Sequence, residues 1–136
     1  MDLFETSHEY ALAHCISKDC KMGAGIAVEF KRRFSKLQKS VMDQNPQIGD
    51  AINHYSNQRL LFNLITKEKY WHKPTYKTFR ATIENLKEGM RTLNSNKLAV
   101  PLLGAGLDGL NWENNREIIK EIFKGTDMEI LVCIKK

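Results

Sequence analysis

Val100-Pro101-Leu102-Leu103-Gly104-Ala105-Gly106-Leu107-Asp108-Gly109-Leu110-Asn111-Trp112 runs from an apolar, strand-like segment through three glycines into an amphipathic segment. Gly104, Ala105 and Gly106 carry almost no side chain, so backbone N–H groups there can approach a phosphate closely. A helix following the loop would add its positive N-terminal end. Asp108 is the odd residue in that reading, a carboxylate inside a loop suited to anions. Taken locally, it reads first as a turn or capping residue and only second as a catalytic one.

On either side of this loop the chain alternates apolar strands with amphipathic helices. Leu98 to Leu103 is the strand that delivers the loop. Asn111 caps a helix with Trp112, Ile118, Ile119, Ile122 and Phe123 on its inner face, Gly125 ends that helix, and Met128 to Ile134 is a last strand. Upstream, Tyr76, Phe79, Ile83, Leu86, Met90 and Leu93 recur at intervals of three and four and predict a long helix with Thr75 as its N-cap. Before it come turn formers over Asp43 to Asp50 and a strand, Arg59 to Ile65, which ends in Thr66-Lys67. A lysine just past a buried strand is ordinarily a snorkelling end residue. At the start of the chain, Tyr10 to Ile16 reads as a buried strand, Ser17 to Gly25 as a loop holding a second Gly-Ala-Gly (Gly23, Ala24, Gly25), and Ile26, Phe30, Phe34, Leu37 and Val41 as the face of one helix. Gly-Ala-Gly alone is a fragment of a nucleotide fingerprint and weak evidence for one. Strands alternating with helices, without repeat or linker, predict one α/β domain over residues 1–136 with a parallel or mixed sheet between helices.

Composition sets the limits. A chain of 136 residues with 42% hydrophobic and 27% charged content matches one globular unit with its own core, and no apolar run approaches a membrane span. The acidic start Met1-Asp2-Leu3-Phe4-Glu5 has no signal-peptide pattern. Cys15, Cys20 and Cys133 lack Cys-x-x-Cys spacing, so neither a disulfide framework nor a zinc site is expected, and the expected setting is a reducing, intracellular one, cytoplasm or nucleus. Lys and Arg outnumber Asp and Glu by 21 to 16, a formal charge of +5 that suits a phosphate-bearing ligand. The densest basic run, Lys31-Arg32-Arg33 with Lys36 and Lys39, has no interleaved aromatics and reads as a solvated helix face rather than a nucleic-acid patch.

In an open α/β sheet the ligand lies outside the carboxyl ends of the strands. Three segments sit at such ends: Ser17 to Gly25, Thr66-Lys67, and Gly104 to Asp108. Two small-residue loops cradling a diphosphate, with Lys67 and Asp108 meeting beside it, describe a nucleotide-diphosphate cleft. A partly buried lysine can attack a sugar carbon while a carboxylate shuttles protons or activates water. Charge pairing between the two opposes this, so the residues alone leave catalysis and plain binding both open. No Ser-His-Asp order, HExxH motif, complete Walker loop or metal-binding carboxylate cluster is present.

At these residues the chain resembles a macro domain of the terminal ADP-ribose protein glycohydrolase branch. The matching stretches are Asp2-Leu3-Phe4; Leu12 to Ser17 with Asp19 to Ala27; Leu64-Ile65-Thr66-Lys67; His72-Lys73-Pro74-Thr75-Tyr76; and Gly104 to Asp108 with Leu110 and Trp112-Glu113. The resemblance implies a mixed, mostly parallel sheet sandwiched between α-helices, with ADP-ribose across the strand ends. It implies that Asp2 holds the adenine amino group with Leu3 beside it. Ser17, Met22, Gly23, Ala24, Gly25 and Ile26 would line the phosphates and distal ribose, and Leu102, Leu103, Gly104, Ala105, Gly106, Leu107 and Asp108 would form the second phosphate loop. Lys135 would contribute backbone contacts at the adenine end.

The implied reaction is removal of mono-ADP-ribose from acidic side chains, with Lys67 attacking the distal ribose and Asp108 as acid–base group, together with deacylation of O-acyl-ADP-ribose. The implied partners are ADP-ribose, ADP-ribosylated proteins and O-acyl-ADP-ribose, with no cofactor, metal or membrane, nucleic acid disfavoured and a monomer expected. A non-catalytic ADP-ribose reader and an ADP-ribose 1″-phosphate phosphatase are the alternatives. Two departures stand out. Met1 occupies the place of the glycine that follows a complete first strand in the family, so that strand is missing and an exposed neighbouring edge is expected. Leu102 stands where an arginine often follows the proline.

Overall fold

The computed structural model describes residues 1–134. Its centre is β1 (Ala11–Ser17), whose side chains are buried on both faces apart from the half-buried Cys15. That pattern belongs to an interior strand covered by helices on both sides. The five strands β1, β2 (Ala51–Ser56), β3 (Arg59–Lys67), β4 (Lys97–Val100) and β5 (Glu129–Val132) lie in the order β2-β3-β1-β4-β5. β3, β1, β4 and β5 run parallel to one another, and β2 is antiparallel to β3. The mixed, mostly parallel sheet between helices is therefore as expected, with β5 as one edge.

Alternation along the strands assigns the two faces. Leu12 and Ile16 of β1 join Leu61 and Ile65 of β3 in packing against α1 (Ile26–Arg33) and α2 (Leu37–Asp43) through Phe30, Phe34, Leu37 and Val41. Ala11, Ala13, Phe62 and Leu64 point the other way, against Phe79, Ile83, Leu86 and Met90 of α3 (Tyr76–Thr92) and Ile119 and Phe123 at the end of α4 (Trp112–Ile122). Small alanines on β1 let the larger α3 and α4 side chains approach the sheet.

Thr75 caps α3 as expected, in a reciprocal box: its Oγ1 accepts from Thr78 N–H at 3.1 Å, and Thr78 Oγ1 accepts from Thr75 N–H at 3.0 Å. The outermost members of the predicted stripe, Tyr76 and Leu93, are exposed.

Three expectations need correction. The single helix from Ile26 to Val41 is two helices, because Phe34 leaves the helical region at φ −124°, ψ 83° and the chain restarts at Leu37. Phe34 and Leu37 remain buried across the break, so the apolar spacing conceals it. Ala51–Ser56 forms β2, which the turn-rich reading of the preceding residues passed over. It is an edge strand with Asn53 and Tyr55 outward, joined to β3 by Asn57 and Gln58, both at positive φ without a glycine. The strand before the glycine loop ends at Val100 rather than Leu103, because Pro101 cannot continue the ladder.

Arg59, itself buried, holds the start of the chain in place. Its guanidinium donates to Thr6 Oγ1 and to the carbonyls of Thr6, Ser7 and Tyr10 at 2.7 to 3.1 Å. No described helix is long and apolar enough to cross a membrane.

Candidate active site

Lys67 is the last residue of β3, and Asp108 closes the one-turn 3-10 helix Gly106–Asp108 that follows β4. Lys67 Nζ donates to Asp108 Oδ1 at 2.8 Å, with the two side chains only 14% and 15% exposed. The sheet brings them together: β3 and β4 flank β1, and their loops open on the same edge. The register of β1 against β3 shifts between Ile16 and Ser17, so that Ser17 pairs with Lys67, and Lys18 N–H donates to the Lys67 carbonyl at 2.8 Å. This irregularity at the strand end starts the first glycine loop directly beside Lys67.

The pair lies in a cleft of about 1230 Å³. Asp2, Leu3, Ser17, the run Met22 to Ile26, Lys67 and the run Leu102 to Asp108 all line it, so the structure gathers every site residue read from the sequence among those it describes. Lys135 falls outside the described residues. The first loop enters α1 directly, with Gly25 as N-cap at φ 60°, ψ −149°, a conformation for glycine. The second loop behaves differently from expectation. A 3-10 turn intervenes before α4, which starts at Trp112 with Asn111 as its cap as expected: Asn111 Oδ1 accepts from Asn114 N–H, and the Asn111 N–H donates to Tyr76 Oη. The helix end facing the cleft is therefore that of α1, while the second loop offers backbone amides alone. The loops meet above the pair, where a Cβ on Gly25 would lie 3.2 Å from Leu107 Cδ1.

Hydrogen bonds organise the rim. Ser17 Oγ donates to the Asp19 carboxylate, which also accepts from the N–H groups of Tyr70 and Lys21 and so ties the first loop to the segment after β3. Partial burial works against the Asp19 charge, but these three donors together hold its carboxyl below the usual range. Asp2 Oδ1 caps the 3-10 turn Leu3–Glu5 through Phe4 N–H at 2.8 Å, leaving Oδ2 as the acceptor available to a ligand.

Cys15 also lines the cleft. Burial, reinforced by the nearby Asp108 carboxylate, pushes its thiol well up, so it remains a protonated thiol and a poor nucleophile. Reading the sequence missed the exposed Tyr70 and Trp71 and their neighbours His72 and Lys73, which complete the cleft. Lys73 Nζ donates to the Leu107 carbonyl, fastening this rim to the second loop. The available signal was two aromatics in a polar link where no helix or strand would bury them.

A mixed, mostly parallel sheet with two glycine loops and a Lys–Asp pair at its strand ends has the macro-domain arrangement, and the chain belongs to the macro-domain family. It is 41% identical to the ADP-ribose glycohydrolase OARD1 of Bos taurus and 40% identical to that of Homo sapiens, each over 131 residues covering 96% of this chain and 86% of the relative. The macrodomain of Mycobacterium tuberculosis DarG superposes with a TM-score of 0.89 at 26% identity, covering all of this chain and 94% of that one. The M. tuberculosis protein named DNA ADP-ribosyl glycohydrolase is 30% identical over 132 residues, and the match spans 37% of its length. No family model matches the chain.

Proposed function

We propose that this chain binds ADP-ribose in the cleft and hydrolyses it from acidic side chains of ADP-ribosylated proteins, with Lys67 as nucleophile and Asp108 as acid–base group. The observation that carries the reading is the 2.8 Å contact between Lys67 Nζ and Asp108 Oδ1 on the floor of a cleft walled by two glycine loops. Relatives named ADP-ribose glycohydrolases support the reaction class.

With the distal ribose seated between the loops, Lys67 passes a proton to Asp108, and the freed lone pair attacks the anomeric carbon. The bond from that carbon to the side-chain carboxyl oxygen breaks, and the carboxylate departs with the bonding pair, taking the proton from Asp108. Asp108, ionised again, takes a proton from water as the water oxygen attacks the same carbon. The carbon–nitrogen bond breaks as the new carbon–oxygen bond forms, its electron pair returning to the lysine nitrogen, and Asp108 then gives the proton back to Lys67. Water activated by Asp108 would equally attack the acyl carbonyl of an O-acyl-ADP-ribose in the same seat.

Release of free ADP-ribose from glutamate-modified protein is the test. Lys67→Ala should abolish it, and an unchanged rate in that variant sinks the lysine nucleophile. A second reading, an ADP-ribose reader without turnover, is favoured by one feature: each member of the pair already satisfies the other. Calorimetric binding of ADP-ribose with no hydrolysis of any modified substrate would select it.

A further inference from the structure

Lys67, His72 and Lys73 line not only the cleft but also an adjoining hollow of about 410 Å³ between the end of β3 and the N-terminus of α3. We propose that this hollow seats the leaving group: it receives the modified acidic side chain and neighbouring peptide while ADP-ribose occupies the cleft. The proposal rests on the glycohydrolase reading above and deepens it. The bond that breaks lies at the ribose carbon next to Lys67, so the two halves of the substrate must extend from that residue in different directions. The cleft takes one half, and the hollow opens from the same lysine.

Its lining calls for an acceptor-rich guest. Thr66 belongs to that lining and is fully buried, and its Oγ1 has no hydrogen-bond partner among the described residues. A buried hydroxyl left unpaired is costly unless a partner arrives. The neighbouring Thr75 and Thr78 hydroxyls are already committed to the cap of α3, so Thr66 supplies the free donor. The charges agree. Among the described residues Lys73 is held by the neutral Leu107 carbonyl alone, and the one carboxylate lining the hollow, Glu68, lies 3.8 Å from Lys18. The 17-residue α3 adds its positive end.

These features suit a carboxyl group and peptide carbonyls better than a nucleobase. The exposed aromatics Tyr70 and Trp71, on which a base would stack, line the cleft and not the hollow.

The experiment compares binding of three probes: free ADP-ribose, an acidic peptide carrying ADP-ribose through a non-hydrolysable linkage, and a nucleoside carrying it likewise. In the wild-type chain the peptide conjugate should bind about tenfold tighter than ADP-ribose. Ile48 is 40% exposed on the hollow's wall, and Ile48→Trp should fill the space and erase that advantage without changing the affinity for free ADP-ribose. Thr66→Val, which removes only the unpaired hydroxyl, should weaken the conjugate about threefold to tenfold and leave ADP-ribose unaffected.

Equal affinities for the peptide conjugate and ADP-ribose in the wild-type chain would overturn the proposal. So would parallel losses on both probes in the variants, or a gain for the nucleoside conjugate that Ile48→Trp abolishes. If no modified protein is hydrolysed, the glycohydrolase reading fails, yet the binding comparison still decides whether the hollow takes peptide.

Discussion

The same tripeptide, Gly-Ala-Gly, forms both walls of the cleft, yet the two copies are built differently. In the first, the constrained glycine is the last: Gly25 sits at φ 60° beneath Leu107 and starts α1, whereas Gly23 has open space where a Cβ would go. In the second, the constrained glycine is the first. Gly104 sits at φ 72°, and a Cβ there would lie 2.7 Å from Asn115 Nδ2 and 3.2 Å from Phe79. Each wall is backed by a buried polar side chain. Behind the first, His14 stacks on Phe30 of α1 at 3.7 Å between ring centroids, and its Nε2 lies 2.7 Å from Asn63 Oδ1. Behind the second, Asn115 of α4 donates to the Leu103 carbonyl at 2.8 Å. One wall thus leans on a group that can take up a proton and the other on an amide that cannot, and it is the second that delivers the carboxylate paired with Lys67.

The largest effect should come from dividing chemistry from binding. Asp108→Ala removes the proposed acid–base group of the second loop and should lower turnover by about 10²–10⁴-fold, while ADP-ribose affinity stays within about threefold because the backbone amides of both loops remain. Trapped lysine adduct, visible by intact mass, would accompany the loss. An affinity that collapses together with turnover would mean that Asp108 shapes the binding loop, and the contrast between the walls would fail.

Acid should attack the first wall selectively. Burial, only partly offset by the Asn63 hydrogen bond, lowers the His14 pKa from 6.5 to about 4. Between those values the unfolded chain binds a proton that the folded chain refuses. The stabilisation is therefore complete above about pH 6.5 and is lost as pH falls toward 4, a change of about 3 kcal/mol. Denaturant melts at pH 7 and pH 4 should show that loss in the wild-type chain and a smaller one in His14→Gln. Identical pH dependence in the two would acquit His14.

On the second wall, Gly104→Ala forces a methyl against Asn115, which cannot retreat without releasing the Leu103 carbonyl, and places alanine in the left-handed region. It should cost about 2 to 3 kcal/mol of stability at any pH. A melting temperature equal to wild type would show that the loop relaxes freely.

Much of this division was legible beforehand, for identifiable reasons. Glycine loops after apolar strands and a threonine before an amphipathic stripe are local signals, and both loops and the Thr75 cap lie where those signals place them. What stayed hidden depends on contacts between distant residues. His14 looked like one residue of a buried strand, because nothing local reveals Phe30 and Asn63 around it. Asn115 interrupts an apolar face and reads as a surface residue until Gly104 is packed against it. β2 escaped notice because an edge strand needs only half of its residues to be apolar. The roles proposed for Lys67 and Asp108 came from their joint position at strand ends and from the family likeness, since neither residue is distinctive alone.

The smallest effects should separate the backbone need for glycine from the steric one. A Cβ on Gly106 meets nothing within 4 Å, but its φ of 70° penalises any L side chain, so Gly106→Ala should cost about 1 kcal/mol. Gly23 also has open space and lies outside the left-handed region. Gly23→Ala should therefore stabilise the chain by about 0.5 kcal/mol, because alanine restricts the unfolded ensemble without straining the native one. Its methyl group would project where no protein atom lies, on a loop that lines the cleft, so the variant should melt slightly higher while binding ADP-ribose more weakly. A Gly23→Ala chain that gains stability and keeps full affinity would show that the first loop contacts its ligand through Gly25 and the start of α1 alone, narrowing that wall to the helix end.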